Sequence, residues 1–207
     1  IGPSFLFPGP GYGGSCFPKD VRALARTARD HGSPLDVLEA VESVNVRQKH
    51  RVGEKVLAAL GGQATGARVA VWGLAFKANT DDMRESPALT VVEDLTRAGV
   101  DIVAHDPVAI PEARRRLGDR IRFAESSYEA LRDADGLAVL TDWNEYRHPD
   151  FERMRSLLRR PLVVDGRNLY APAKMQQLGF EYYSIGRVDP AGSRPGQASL
   201  PPVKAGR

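Results

Sequence analysis

Arg68-Val69-Ala70-Val71-Trp72-Gly73-Leu74-Ala75-Phe76-Lys77 reads as a short buried strand that runs into a turn at Gly73. Residues 63–67 before it form a small-residue linker. After it, helical and strand periods alternate. A helix over 86–98 is opened by Ser86-Pro87 and closed by Gly99. A strand follows at 101–105, a helix at 111–117, a strand at 121–123 and a helix at 128–134. The most apolar strand spans 136–141, a helix spans 151–158, and strands at 162–165 and 182–185 close the series. Strands alternating with helices predict an α/β fold built on a doubly wound parallel sheet.

The turn after the first strand is where a dinucleotide-binding sheet carries G-x-G-x-x-G, and only Gly73 is present there. The usual pyrophosphate cradle is therefore absent from this sheet. Lys77, Arg84 and the turn Thr80-Asp81-Asp82 lie past the strand's C-terminal end instead, on the edge where open α/β sheets bind ligands. Two cations just before a helix N-terminus suit a diphosphate, although either one alone reads more simply as a solvated charge. Asp165-Gly166-Arg167-Asn168 emerges at the same edge. Arg167 offers a planar fork for a phosphate, a ribose or a uracil edge. The alternative is that it pairs with Asp165 or a backbone carbonyl. Trp143 reads as packing or rim, and His31, His50, His105 and His148 show no metal-ligand spacing.

Upstream the chain is helical, over 19–31 and then 34–60. Ser33 is expected to cap the second helix, Asn45 marks a break or kink in it, and Gly61-Gly62 ends it. This first third shows no compact core of its own, so its apolar faces predict packing on another domain or on a second copy of the chain. Ahead of the helices stands Gly11-Tyr12-Gly13-Gly14-Ser15-Cys16-Phe17-Pro18-Lys19-Asp20, with the only cysteine of 207 residues. The glycines let the backbone turn sharply and approach a ligand. Cys16 falls at a helix N-terminus beside Lys19, where exposed N–H groups and a cation favour the thiolate. Asp20 stands four residues on, placed to hold a water or steer a proton. A lone cysteine is commonly a small core residue, but a core thiol needs neither of these flanks. Phe5, Phe7, Tyr12 and Phe17 cluster around it as walls of a pocket.

A 42% hydrophobic content is ordinary for a globular chain, and no apolar run reaches a membrane span of about 20 residues. One cysteine excludes an intramolecular disulfide and fits a reducing compartment, taken as the cytoplasm. The net charge of +3 with short arginine runs, at 114–116 and 159–160, carries no aromatic platform or groove-reading motif, so nucleic acid is not expected as a partner. The chain begins at Ile1 and reads as a piece of something longer. Residues 187–207, rich in Pro, Gly, Ser, Arg and Lys, are expected to be disordered.

The run Phe5-Leu6-Phe7-Pro8-Gly9 through Gly13 and Ser15-Cys16-Phe17-Pro18-Lys19-Asp20 resembles the nucleophile segment of the UDP-glucose/GDP-mannose dehydrogenase family. The resemblance continues through Gly73-Leu74-Ala75-Phe76-Lys77, Thr80-Asp81-Asp82-Met83-Arg84-Glu85-Ser86-Pro87 and Asp165-Gly166-Arg167-Asn168, and covers about residues 1–185. It implies a helical linker and dimerisation segment at 1–62, followed by a Rossmann-like UDP-sugar domain at 67–186. It implies oxidation of the 6-hydroxymethyl of UDP-glucose to a carboxylate with two NAD, through a thiohemiacetal and a thioester on Cys16, with Asp20 assisting water. Phe5, Leu6, Phe7, Pro8, Gly9, Tyr12 and Gly13 match the loop that cradles the substrate. Phe76 and Lys77 match the diphosphate side, Arg167 resembles a residue near the uridine end, and Lys19 and Arg84 match cofactor contacts. Phe7 departs from members with a polar or basic residue there. The family's glycine-rich NAD domain has no counterpart in this sequence, so the chain alone is expected to be inactive. A GDP-mannose or other nucleotide-sugar dehydrogenase, a non-catalytic nucleotide-sugar binding module and a dimerisation fragment are the alternatives.

Overall fold

The computed structural model describes residues 2, 6–62 and 64–187. Phe5, Gln63 and nearly all of the 187–207 tail named above lie outside them. Helix α1 (Phe17–Asp30) and the long helix α2 (Asp36–Ala59) come first. The sheet then alternates: β1 (Arg68–Trp72), α3 (Pro87–Arg97), β2 (Asp101–His105), α4 (Ile110–Leu117), β3 (Arg122–Phe123), α5 (Ser127–Leu131), β4 (Gly136–Val139), α6 (Asn144–Arg147), α7 (Phe151–Leu157), β5 (Leu162–Asp165), α8 (Pro172–Gln177) and β6 (Glu181–Ser184). The six strands are parallel in the order β3-β2-β1-β4-β5-β6. This is the doubly wound Rossmann-like sheet that the alternation predicts, with its reversal of strand order between β1 and β4.

Period-two alternation divides the strand side chains between two cores. Val69, Val71, Ile102, Ala104, Ala138, Leu140 and Val164 face Val91, Val92 and Leu95 of α3. Ala70, Trp72, Leu137, Val139 and Val163 face Leu131, Tyr146, Met154 and Met175. The C-terminal half of α2 joins the first core through Val52, Val56, Ala59 and Leu60, so this half belongs to the α/β unit. Its N-terminal half and α1 project from it. Only Pro18 and Ala25 of α1 are buried, while Leu24, Val37 and Val44 are 55%, 76% and 55% exposed.

Two details of the helical part differ from the sequence reading. Ser33 does not cap α2: it lies in the closing turn of α1, two residues before the Leu35 N-cap position. Ser33 donates to Ala28 at 2.9 Å and Gly32 to Arg29 at 3.0 Å, a Schellman closure around Gly32 at φ +69°. Helix α2 consequently starts at Asp36 after Leu35. Asn45 breaks nothing: α2 runs through it, and its buried side chain is engaged with a loop. The short helices α6 and α8 were not expected. The first is one turn long, seated by Tyr146 stacking on Trp72 at 4.8 Å.

Gly73 closes the sheet's C-terminal edge. At φ +93° its backbone passes so near the end of β4 that a Cβ would stand 2.4 Å from Thr141 Cβ and 2.7 Å from Thr141 N. Thr141 Oγ1 donates to Ala75 O at 2.6 Å, and Leu140 N to Trp72 O at 2.8 Å. Gly73→Ala combines a left-handed conformation with a backbone clash, and is expected to destabilise the fold by on the order of 3 kcal/mol in chemical denaturation. An unchanged midpoint would remove this account of the turn.

Candidate functional site

Three segments converge at the sheet's C-terminal edge: the glycine-rich loop at 6–16, the loop at 73–86 after β1, and the turn at 165–168 after β5. The first two meet through missing side chains. A Cβ on Gly13 would lie 2.3 Å from Glu85 O, and one on Gly14 would lie 2.9 Å from the Phe76 ring. Gly14 N donates to Arg84 O at 2.8 Å. Only glycine permits this approach.

Cys16 is exposed and is the N-cap residue of α1, with no side-chain cap of its own. Its Sγ lies 3.6 Å from Ser15 Oγ. Its carbonyl accepts the first helical bond, from Asp20 N at 2.8 Å. Lys19 and Asp20 pair at 3.3 Å, with side chains 71% and 65% exposed. Arg84 grips Asp82 with Nε at 3.0 Å and Nη2 at 2.9 Å. This fork holds the Asp82 carboxyl below its ordinary value. The Asp82 contact in turn raises Arg84, with the charge of a Cys16 thiolate adding to the effect. The cation expected beside the cofactor thus stands in the field of the thiol.

Beneath the loop lies a charged network that the sequence does not single out. Glu85, at φ +55°, accepts from Arg22 of α1 at 2.8 Å and Lys49 of α2 at 3.1 Å, which together hold its carboxyl below the usual range. Tyr12 donates its hydroxyl to Glu42, and its ring meets Phe17 edge-on at 4.7 Å. Burial and then the Glu42 contact push the Tyr12 phenol well above its ordinary value. The Tyr12 main chain is held by Asn45, and Gly9 O by Gln48 at 2.8 Å. A polar residue at every third position of α2 (42, 45, 48) is the only trace of this in the sequence.

At the far end, Arg167 donates from Nε to Leu140 O at 2.9 Å and from Nη2 to Phe76 O at 2.8 Å. The fork is therefore committed to two main-chain carbonyls, and its third nitrogen lies against Gly9, whose Cβ would meet Nη1 at 3.1 Å. Burial lowers its guanidinium from the ordinary value. Asp165, buried, accepts from Arg167 N at 2.9 Å, Tyr182 OH at 2.8 Å and Tyr170 N at 3.1 Å. Lys77 stays exposed, with Nζ 5.3 Å from the Phe76 ring centroid. Leu6 and Phe7 are 79% and 63% exposed, and Pro8 is exposed as well. The edge thus gathers Gly9, Gly13, Phe76 and Arg167 in direct contact, with Tyr12 tied to α2 and Lys77 beside them. Trp143 is buried and donates Nε1 to Asp106 Oδ2 at 3.2 Å, so it belongs to the packing. Asp106 also accepts from the amides of Leu74, Ala75, Val108 and Ala109, which fixes the root of the loop that carries Phe76.

Among the described residues no group of three or more His, Cys, Asp or Glu is gathered as a metal site, and no helix is long and apolar enough to cross a membrane. A dinucleotide does not fit the β1 turn. The space above Gly73 is filled by Thr141, and no further glycine opens a cradle.

Residues 70–172 match the UDP binding domain of the UDP-glucose/GDP-mannose dehydrogenase family, and residues 1–47 match its central domain. A UDP-glucose 6-dehydrogenase of Rhizobium meliloti is 48% identical over 91% of this chain and 43% of its own length. One of Pseudomonas aeruginosa is 49% identical over 90% of this chain and 42% of its own. The solved structure of a UDP-glucose dehydrogenase from Pyrobaculum islandicum superposes with a TM-score of 0.72 at 35% identity, over 84% of this chain and 38% of that one. The chain therefore spans less than half the length of these relatives. Because the family's UDP binding and central domains together match well over half of its residues, the chain belongs to the UDP-glucose/GDP-mannose dehydrogenase family.

Proposed function

We propose that this chain supplies the thiol and the UDP-binding edge of an NAD-dependent UDP-glucose 6-dehydrogenase. The observation that carries the reading is the exposed Cys16 at the start of α1, in a loop locked by Gly13 and Gly14 onto the loop that bears Lys77 and Arg84. NAD, when bound, supplies the hydride acceptor for two successive oxidations. The dinucleotide cradle is assigned to the length of the relatives that this chain does not cover, with Lys19 and Arg84 as its contacts here, so the chain alone is expected to turn over nothing.

Cys16 Sγ adds to the carbonyl carbon of the sugar aldehyde and gives a thiohemiacetal. With NAD as hydride acceptor, loss of hydride from that carbon and of the hydroxyl proton to solvent would leave a thioester. Water, steered by Asp20, attacks it, and the C–S bond breaks to release the carboxylate and the thiol. Gly9, Tyr12 and Gly13 shape the sugar side, with Leu6, Phe7 and Pro8 at its open rim and Phe5 outside the described residues. Lys77 faces the diphosphate. Arg167 shapes the uridine side through the Phe76 carbonyl it holds. A single exposed thiol suits the reducing cytoplasm, where we place the protein.

The projecting helices carry Leu24, Val37, Val41 and Val44 on exposed surface. A symmetric pairing of two copies would cover such a face. Sedimentation velocity is expected to show a dimer that Val37→Asp together with Val44→Asp converts to monomer; a monomeric parent would remove this part of the reading.

Iodoacetamide is expected to alkylate Cys16 at neutral pH faster than it alkylates an unstructured cysteine peptide, because the thiol is exposed at the start of α1. A rate no faster than the peptide's would sink the activated thiol. In the enzyme assembled with its cofactor portion, Cys16→Ala is expected to abolish acid formation, and normal turnover would demand another mechanism.

Lys77→Ala is expected to weaken UDP binding about tenfold, as loss of one charge-assisted contact implies. The difference should shrink as salt rises, since Lys77 is exposed. Equal affinity of mutant and parent in calorimetry would instead favour a fragment whose role is association.

A further inference from the structure

We propose that Asn45, seconded by Gln48, is a positioning residue for the Cys16 thiol. Residues 9–14 form neither helix nor strand, yet four of their main-chain groups are paired. Tyr12 N donates to Asn45 Oδ1 at 2.8 Å, and Asn45 Nδ2 donates to Tyr12 O at 3.2 Å. Gln48 Nε2 donates to Gly9 O at 2.8 Å, and Gly14 N donates to Arg84 O. Three of these four bonds come from one face of α2, where residues three apart are neighbours.

Asn45 uses both ends of its amide, as the peptide of an adjacent strand would, and it is buried at 7% exposure. Asparagine in a helix interior competes with the backbone and does not favour the helix. Helix formation therefore does not account for it, whereas the loop does. Its fit is close: a Cβ on Gly11 would stand 2.9 Å from Asn45 Oδ1. Tyr12 is four residues ahead of Cys16, and its ring meets Phe17 directly behind it. The thiol is therefore bracketed by two aromatic residues in mutual contact, and the first is pinned to α2. Release of Tyr12 frees the chain that presents Cys16 at the α1 N-terminus and in the field of Arg84.

The inference rests on reading Cys16 as an activated thiol. The test takes two measurements on this chain, amide hydrogen exchange at Tyr12 and the rate of iodoacetamide alkylation of Cys16 at neutral pH. In Asn45→Ala, with helix content unchanged by circular dichroism, Tyr12 exchange is expected to quicken about fivefold or more. Alkylation of Cys16 is expected to slow toward the rate of an unstructured cysteine peptide. Asn45→Asp keeps the acceptor for Tyr12 N but turns a second oxygen toward Tyr12 O, and is expected to fall between parent and alanine. An alkylation rate in Asn45→Ala equal to its parent's overturns the proposal, even where exchange quickens, because Asn45 is then a structural contact only. Should the Asn45 variants fail to fold, Gln48→Ala read in the same two measurements decides in the same way. A parent that reacts no faster than the cysteine peptide defeats the activated-thiol reading and takes the proposal with it. That failure shows in the parent alone, whereas failure of the Asn45 proposal shows as a variant matching a reactive parent.

Discussion

The arrangement depends on one contact between two stretches of backbone, Gly13 against the Glu85 carbonyl. A Cβ at Gly13 would be 2.3 Å from that oxygen, a distance no side chain tolerates. Because the contact exists, Gly14 N reaches Arg84 O, and the thiol loop becomes an extension of the loop after β1. The ion pairs around it are weaker constraints. Exposed pairs such as Lys19–Asp20 contribute about 0–1 kcal/mol. A blocked main-chain approach costs more than that, so packing sets the geometry and the charges adjust to it. Glu85 shows the same order of priority. Its left-handed backbone is unfavourable for a non-glycine residue, and it persists because Arg22 and Lys49 hold the side chain from two helices.

Helix α2 works in two halves with different chemistry. Its C-terminal half contributes Val52 and Val56 to the core beneath the sheet, and it is anchored by apolar burial. That anchor fixes the N-terminal half, which has little core of its own, and lets a polar stripe there hold a loop with no regular structure. The nearly complete burial of Val52 is thus linked to the position of Tyr12 through one rigid helix. The cost is an exposed apolar surface at Val37 and Val44, on the same projecting half.

The sheet was legible because period-two alternation, glycine stops and Ser86-Pro87 are local signals. Ser86 does cap α3, accepting from Ala88 N at 3.3 Å. The thiol loop was legible because its glycines are informative wherever they fall. Asn45 was not, since its meaning lies in a partner 33 residues away, and a polar residue inside a helical run reads locally as a break. Ser33 misled for a related reason. It belongs to the closing turn of the previous helix, and nothing local to the start of α2 reveals that. Arg167 was left between a ligand and backbone carbonyls, and the structure gives two of its nitrogens to carbonyls.

These allocations bear on how an anion would be recognised at this edge. In a glycine-cradled sheet, main-chain N–H groups after β1 and the N-terminus of the next helix face the phosphates. Here the amides of Leu74 and Ala75 turn inward to Asp106. The start of α3 carries Pro87, which has no N–H, and the amide of Ala88 is taken by Ser86. Little main-chain donor capacity is left for an anion at the root of this loop, and the Arg167 fork is largely committed. For the proposed diphosphate, the binding charge then falls on the flexible ammonium of Lys77, a point charge able to follow a mobile anion.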